Sequence, residues 1–391
     1  MRAVGNWLID LACARCAREH SAGRPQNTCT SCGGPLLCRY RIEPGALPLD
    51  RILQRPAGQN RLFELMPTVD GALTPTLGEG ATPLLCAPRL ADLLDLPNLR
   101  IKDESQNPTC SFKARGMATA MARARELGIG AVCLPSAGNA GGAAAAFGAL
   151  LGIEVHVFVP ESTPGPIRAE IAAHGAHVTT VAGSIADAAA ALEVEAARHG
   201  WFSLATLREP YRVEGKKVMG FELLYDMGRL PDAIVYPTGG GTGLIGMWKA
   251  FDEMEALGLC GSARPRMFAV QAEACAPLPR AFDAGLDTMP AWEAPGSTAA
   301  YGLRVPSALG DGLMLKALRK SRGAAIAVGE KELLEGARLL ATHAGLFASA
   351  EGGATVAAVQ RLLAQGALHR RDAVVLFNTG HALKYLLPVR R

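Results

Sequence analysis

Lys113 closes the run Asn107-Pro108-Thr109-Cys110-Ser111-Phe112, a turn-prone stretch of mostly small residues at the mouth of an alanine-rich helix. A lone lysine is by default a solvated charge. A lysine sheltered at a helix start is different, because burial and the helix dipole lower its pKa and let it act as a nucleophile and proton carrier near neutrality. Which description applies depends on what else the chain supplies. Three further motifs follow in order: Pro135-Ser136-Ala137-Gly138-Asn139-Ala140-Gly141-Gly142, Pro237-Thr238-Gly239-Gly240-Gly241-Thr242-Gly243, and Phe377-Asn378-Thr379-Gly380-His381-Ala382-Leu383-Lys384.

The glycines at 239, 240, 241 and 243 lie between an apolar strand and a helix, where bare backbone can aim several N–H groups at an anion on the positive helix end. Gly241-x-Gly243-x-x-Gly246 also matches a dinucleotide fingerprint, yet no acid closes the next strand about twenty residues on to hold a ribose. A nucleoside triphosphate loop is excluded, since no Gly-Lys-Ser/Thr follows. One small phosphorylated cofactor fits better than a nucleotide.

Ten cysteines divide into two groups. Cys13-x-x-Cys16 and Cys29-x-x-Cys32 are two knuckles that can turn four thiolates toward one point, the donor set of a closed tetrahedral Zn²⁺ site. With no open position such a metal is structural, holding a module too small for its own core. The other six are dispersed and read as small packed hydrophobes, with Cys110 notable only for its nearness to Lys113.

A chain of 391 residues that is 49% hydrophobic can bury a large core. Few aromatics and 44 glycines favour helices packed closely on parallel strands, an α/β class. A net charge of +4 from 40 basic and 36 acidic residues, without a basic block, speaks against nucleic-acid or membrane-surface partners. No secretory signal is evident, so a cytoplasmic protein is expected. Residues 131–153 lack charge over a span long enough for a bilayer, but Pro135, Gly138, Asn139, Gly141 and Gly142 break it, so it reads as strand, loop, helix and strand.

After the ribbon, 44–83 is rich in proline and glycine with two short helical or irregular pieces, and Leu99–Lys102 reads as a strand. There follow a helix Lys113–Leu127, strand Ala131–Leu134, loop Pro135–Gly142, a helix to Leu151 and strand Val155–Val159. The rhythm repeats as helix Pro166–Gly175, strand His177–Val181, helix Ile185–His199 and strand Phe202–Leu204. A second block comprises strand Ala233–Tyr236, a helix through Met254, strands Met267–Gln271 and Ala324–Val328, helices Glu330–Gly345 and Gly353–Ala364, and strand Ala373–Phe377. Apolar strands alternating with helices imply parallel sheets covered on both faces. The expected organisation is a zinc ribbon over 1–45 and a catalytic region over 46–391 made of two doubly wound α/β subdomains, the smaller at about 110–215.

The four motifs, in this order and spacing, resemble the fold-type II pyridoxal-phosphate enzymes, the tryptophan synthase β-like family. The ribbon, Tyr211-Arg212-Val213-Glu214-Gly215-Lys216-Lys217 and the closing Thr379-Gly380-His381 look most like its threonine synthase branch. The resemblance implies that Lys113 holds pyridoxal 5'-phosphate as a Schiff base and that Gly239, Gly240, Gly241, Thr242 and Gly243 hold its phosphate. Asn139 would face the ring hydroxyl and Thr379 the pyridine nitrogen. Ser136, Ala137 and Gly138 would take the carboxylate of an amino-acid substrate, and Arg212 a substrate phosphate. The implied reaction converts O-phosphohomoserine and water to threonine and phosphate, in a homodimer. Against that pattern, Ala114 replaces an aspartate, Ala140 a threonine, and Thr206-Leu207 an amide and hydroxyl pair. Arg208, Lys216, Lys217, Arg304 and Lys384 are candidates to rebuild an anion site, with surface lysines the default. The Ser-Ala-Gly-Asn loop is also similar to that of serine and threonine dehydratases, so β-elimination or β-replacement on an unphosphorylated amino acid is the alternative. A regulatory protein that keeps the fold is a third reading. His381 reads as structural.

Overall fold

The computed structural model describes residues 6–69 and 74–385. The chain opens with β1 (Leu8–Cys13), β2 (Glu19–His20) and β3 (Leu36–Tyr40), an antiparallel sheet in the order β2-β1-β3. Leu11, Leu36 and Cys38 turn inward. A short α1 (Leu49–Leu53) and a 3-10 segment Gln59–Leu65 follow, then β4 (Leu84–Cys86), α2 (Pro88–Leu93) and β5 (Arg100–Asp103).

The next stretch winds a four-stranded parallel sheet: α3 (Lys113–Glu126), β6 (Ala131–Pro135), α4 (Asn139–Leu151), β7 (Glu154–Pro160), α5 (Gly165–Ala173), β8 (His177–Val181), α6 (Ile185–His199) and β9 (Phe202–Ser203). Its order is β8-β7-β6-β9. The remainder supplies α7 (Arg212–Met227), β10 (Ala233–Pro237), α8 (Thr242–Ala256), β11 (Arg266–Ala272), α9 (Pro277–Asp283), α10 (Asp311–Lys320), β12 (Ala324–Val328), α11 (Glu330–Ala344), α12 (Ala350–Ala364) and β13 (Val374–Asn378). These strands join β5 and β4 in a six-stranded sheet ordered β12-β11-β10-β13-β5-β4, parallel except for the edge strand β4. Every residue of β10 and β13 is buried, as their mainly apolar sequences require when helices cover both faces.

The α/β expectation holds, with two corrections of boundary. A loop was expected to run to Gly142, but α4 starts at Asn139, because the Ser136 hydroxyl accepts the Gly138 and Gly141 N–H groups and holds the first turn. Gly141 and Gly142 serve packing instead: a Cβ on Gly142 would lie 2.3 Å from a Glu170 carboxylate oxygen on α5. Likewise α12 begins at Ala350, three residues before the expected Gly353, whose bare Cα lets α12 cross closely over α11. The sequence reading assigned no helix to α7, α9 or α10, and missed β4 and the ribbon strands. Residues 131–153 form β6, a short loop and α4, and among the described residues no helix is long and apolar enough to cross a membrane.

Ligands of open parallel sheets bind beyond the carboxyl ends of the strands. The loop 136–138 follows β6, the loop 238–241 follows β10, Thr379 follows β13, and the segment 104–112 leads from β5 to Lys113. The two sheets thereby bring all four sequence motifs to one place.

Candidate active site

Those loops line one cavity of about 1120 Å³, whose wall includes Lys113, Ser136, Ala137, Gly138, Asn139, Arg212, Gly239, Gly240, Gly241, Thr242, Gly243 and Thr379. Every cofactor and substrate residue expected from the sequence is therefore on the same surface. Gly241 has a φ of +83° and is the cap residue of α8, a conformation that side chains resist. The other glycines of the loop are held by close approach: a Cβ on Gly239 would lie 2.2 Å from the Gly302 carbonyl oxygen, and one on Gly243 would lie 2.0 Å from the Tyr236 hydroxyl. The result is a cradle of bare backbone at a helix N-terminus.

Lys113 and Arg212 line this cavity and Lys216 stands behind Thr242 of its wall, and none of the three makes an ion pair among the described residues. Burial, with Arg212 nearby, pulls the Lys113 amine down to about 7. Lys216 is fully buried on α7 and donates to the Thr242 hydroxyl at 2.8 Å, directly behind the cradle. Burial, Arg212 and Lys113 together push its amine well below the lysine range. The amines of Lys113 and Lys216 both lie by the Phe112 ring, 4.2 and 4.7 Å from its centre. Arg212 donates to the Leu204 carbonyl at 2.6 Å, and burial lowers its pKa as well. Of the nearby acids, burial raises Glu209 to about 7. Glu351, buried in the cavity wall, accepts the Gly302 N–H at 2.7 Å through Oε1. Glu351 favours the charged form of Lys113, and Glu209 those of Arg212 and Lys216, but burial outweighs them and an anion would restore the charge.

Asn139 donates to the Tyr385 hydroxyl at 2.8 Å, while its own carbonyl oxygen is buried without a partner. Thr379 is buried, and its carbonyl accepts the Phe112 N–H, which ties the β13 loop to the start of α3. Glu351, Tyr301 and Tyr385 also line the cavity and carry no sequence motif, while Thr206, at the expected position of a phosphate-site residue, does line it. The sequence reading took Lys216 and Lys217 as surface lysines by default, whereas both are fully buried. Lys217 is paired with Glu214 at 2.7 Å and Glu253 at 2.9 Å. Lys384 pairs with Glu170 and donates to the Thr109 carbonyl. His381 is satisfied locally, its Nδ1 accepting the Leu383 N–H.

Two steps of α3 beyond Lys113, the Arg115 guanidinium faces away from the cavity into a closed set of charges. It donates to Glu104 at 2.6 and 2.8 Å, to Glu222 at 2.7 Å twice, and to Thr82 at 3.0 Å. Lys102 pairs with the same Glu222 at 2.9 Å.

In the ribbon, Sγ atoms approach at 3.5 Å (Cys13 and Cys32), 3.6 Å (Cys16 and Cys29) and 3.4 Å (Cys16 and Cys32). A tetrahedral zinc with four thiolates has edges of about 3.8 Å, so the geometry suits that ion. His20 Nε2 stands 3.3 Å from Cys29 Sγ, a contact that knuckle spacing does not reveal. The ribbon and α3 share a core in which Leu11, Cys13, Leu36 and Cys38 pack with Met117 and Met121.

Residues 75–380 match the family described as pyridoxal-phosphate dependent enzyme. The chain belongs to that family. It is 32% identical over 379 residues to the threonine synthase of Methanosarcina acetivorans, covering 96% of this chain and 92% of that protein. To the threonine synthase of Methanocaldococcus jannaschii it is 31% identical over 376 residues, 95% of this chain and 92% of the other. Among solved structures it is similar to a T.th. threonine deaminase, with a TM-score of 0.64 and 27% identity over 76% of this chain and 92% of that one. Maize serine racemase shares the fold, with a TM-score of 0.68 at 19% identity, over 77% of this chain and 88% of that one.

The donor set suits pyridoxal phosphate. There is an amine near neutrality for an aldehyde, a glycine cradle backed by Lys216 for a phosphate, and an amide oxygen in need of a donor.

Proposed function

We propose that this protein is a pyridoxal-phosphate-dependent lyase with threonine synthase activity, converting O-phosphohomoserine and water to threonine and phosphate. The observation that carries the reading is the surplus of basic groups at the cavity. Lys113 and Arg212 line the cavity and the fully buried Lys216 stands behind Thr242 of its wall, none of them in an ion pair among the described residues, which is more than one phosphorylated ligand requires. A phosphorylated substrate beside a phosphorylated cofactor accounts for that surplus. The surplus of basic groups also compensates for the donors absent at Ala140 and Leu207.

When bound, pyridoxal phosphate supplies an aldehyde carbon for an amine and a conjugated ring that withdraws electrons from the substrate's α-carbon. Lys113 is the amine, and because its Nζ titrates near 7 it can accept a proton and return it at neutral pH. Gly239–Gly243 hold the cofactor phosphate with backbone N–H groups, Thr242 and Lys216 closing the cradle from behind. Asn139 would face the ring hydroxyl and Thr379 the ring nitrogen. Ser136, Ala137 and Gly138, at the N-terminus of α4, take the substrate carboxylate. Arg212 takes its phosphate. Cys13, Cys16, Cys29 and Cys32 hold a structural zinc. The same reading expects a cytoplasmic homodimer, which light scattering would test.

A second reading, β-elimination from threonine or serine, is favoured by Ala140 and the Ser-Ala-Gly-Asn loop. Purified holoenzyme given O-phosphohomoserine should release phosphate and threonine in equal amounts. Ammonia and a 2-oxo acid from threonine or serine, with no phosphate release from O-phosphohomoserine, would replace the first reading by the second.

A further inference from the structure

The four-stranded sheet carries another convergence of metal-binding side chains, apart from both the cavity and the ribbon. Glu154 and His156 are two residues apart on β7 and so share one face. The strand register sets His156 directly beside His177 of β8. His156 Nε2 lies 2.9 Å, and His177 Nε2 3.3 Å, from the same Glu154 oxygen, Oε1. The three potential ligand atoms are all within 4.8 Å of one another. A tetrahedral zinc with imidazole and carboxylate ligands has ligand-to-ligand edges of about 3.3 Å. Two edges are thus near their bonded length, and the third closes by rotation of His177, whose side chain is 61% exposed.

His156 is the fixed member. Its ring stacks on Trp201 with centres 3.5 Å apart, and on His177 at 4.8 Å. Its Nε2 is buried and faces the Glu154 carboxylate oxygen at 2.9 Å. One oxygen confronted by two ring nitrogens is an arrangement that a cation bridging all three would complete. Glu154, with a side chain 52% exposed, leaves the remaining coordination position open to water. The far end of β7, Pro160, lines the cavity, which puts this cluster about 13 to 20 Å from it at roughly 3.3 Å per residue.

We propose that Glu154, His156 and His177 form a binding site for a divalent transition metal. Zinc is the ion that two imidazoles and one carboxylate suit best among those with no redox chemistry. The bound ion would clasp the exposed edge strand β8 to β7, so its effect is on the stability of the small sheet and not on the chemistry in the cavity.

The test uses full-length holoenzyme with its ribbon loaded with zinc, titrated with Ni²⁺, which four thiolates should not admit in exchange for their zinc. Paramagnetic Ni²⁺ on His156 should quench Trp201, giving a saturable loss of tryptophan fluorescence that Trp201→Phe abolishes and that added Zn²⁺ reverses by competition. His177→Ala and Glu154→Gln alter exposed side chains and should leave the circular dichroism spectrum unchanged. Each should weaken Ni²⁺ binding by at least the roughly tenfold seen when outer partners of a metal ligand are lost. Added Zn²⁺ should raise the thermal midpoint of the parent protein and not of His177→Ala. Absence of saturable quenching, or quenching that is the same in both variants, would overturn the proposal.

Discussion

Lys216 and Lys217 are neighbours on one helix, and both are fully buried, yet they lie in regions of opposite character. Lys217 closes an ion pair with Glu214 and Glu253, as Arg115 does with Glu104 and Glu222. Lys216, with Lys113 and Arg212, turns to a wall where the chain supplies no acid in ion-pair contact. Burying a charge costs several kcal/mol unless a partner offsets it. Where the partner is part of the chain, the charge serves the architecture. Where it is absent, the charge marks the place of an anionic ligand.

Four experiments would break or sharpen that contrast. The largest effect belongs to Lys113→Ala, which removes the amine at the cavity. Activity should fall by roughly 10²–10⁴-fold or more, and mass spectrometry after borohydride reduction should lose the cofactor adduct found on the peptide containing residue 113. An adduct persisting elsewhere would reassign the amine.

Next in size is Arg115→Met, on the paired side. It leaves Glu104 and Glu222 buried without their guanidinium, and should destabilise the apoprotein by about 3–5 kcal/mol in urea unfolding. A change below about 1 kcal/mol would mean that the paired set is not structural.

The third is a pH dependence of the same set. Burial alone would raise Glu222, but Arg115 and Lys102 overcome it and hold the carboxyl down to about 2. A carboxyl lowered in the folded state adds stability above its unfolded value near 4.5, and that stability disappears as pH falls toward 2. Urea midpoints should therefore drop between pH 4.5 and 2, by an amount worth up to about 3 kcal/mol. In Glu222→Gln that part of the slope should vanish.

The smallest effect and the sharpest test is Lys216→Gln. Losing a hydrogen bond to a charged group costs about 1.5–3 kcal/mol, so equilibrium dialysis should show cofactor affinity lowered by roughly ten- to a hundredfold. Stability of the apoprotein should be unchanged or improved, the reverse of Arg115→Met. Cofactor binding should also take up fewer protons than in the parent, because a phosphate no longer re-protonates Lys216. Equal cofactor affinity in the variant would sever Lys216 from the cradle.

Local motifs made much of the site legible. Lys113, the glycine loop and the cysteine knuckles each depend on residues close in sequence, and the turn or helix start that positions them is encoded there too. The reading faltered where a glycine serves packing between elements. Gly142 reads as a loop residue and Gly353 as a helix start, but both sit inside helices that approach α5 and α11 closely. It also missed α7, although apolar Val213, Val218, Phe221 and Leu224 recur at near-helical spacing before Gly228, which ends the helix in a left-handed turn.

By itself the sequence determined the alternation of apolar strands and helices, the amine, the anion-binding loop and the four thiolates, because each follows from short-range sterics and side-chain chemistry. Which charges end up paired was decided only in the tertiary structure. Lys216 and Lys217 have the same side chain and adjacent positions, and their fates diverge because α7 turns one toward the cradle of α8 and the other toward Glu214 and Glu253. The dielectric and the partners that set the state of a buried charge come from segments far apart in the chain, and they exist only once those segments have packed.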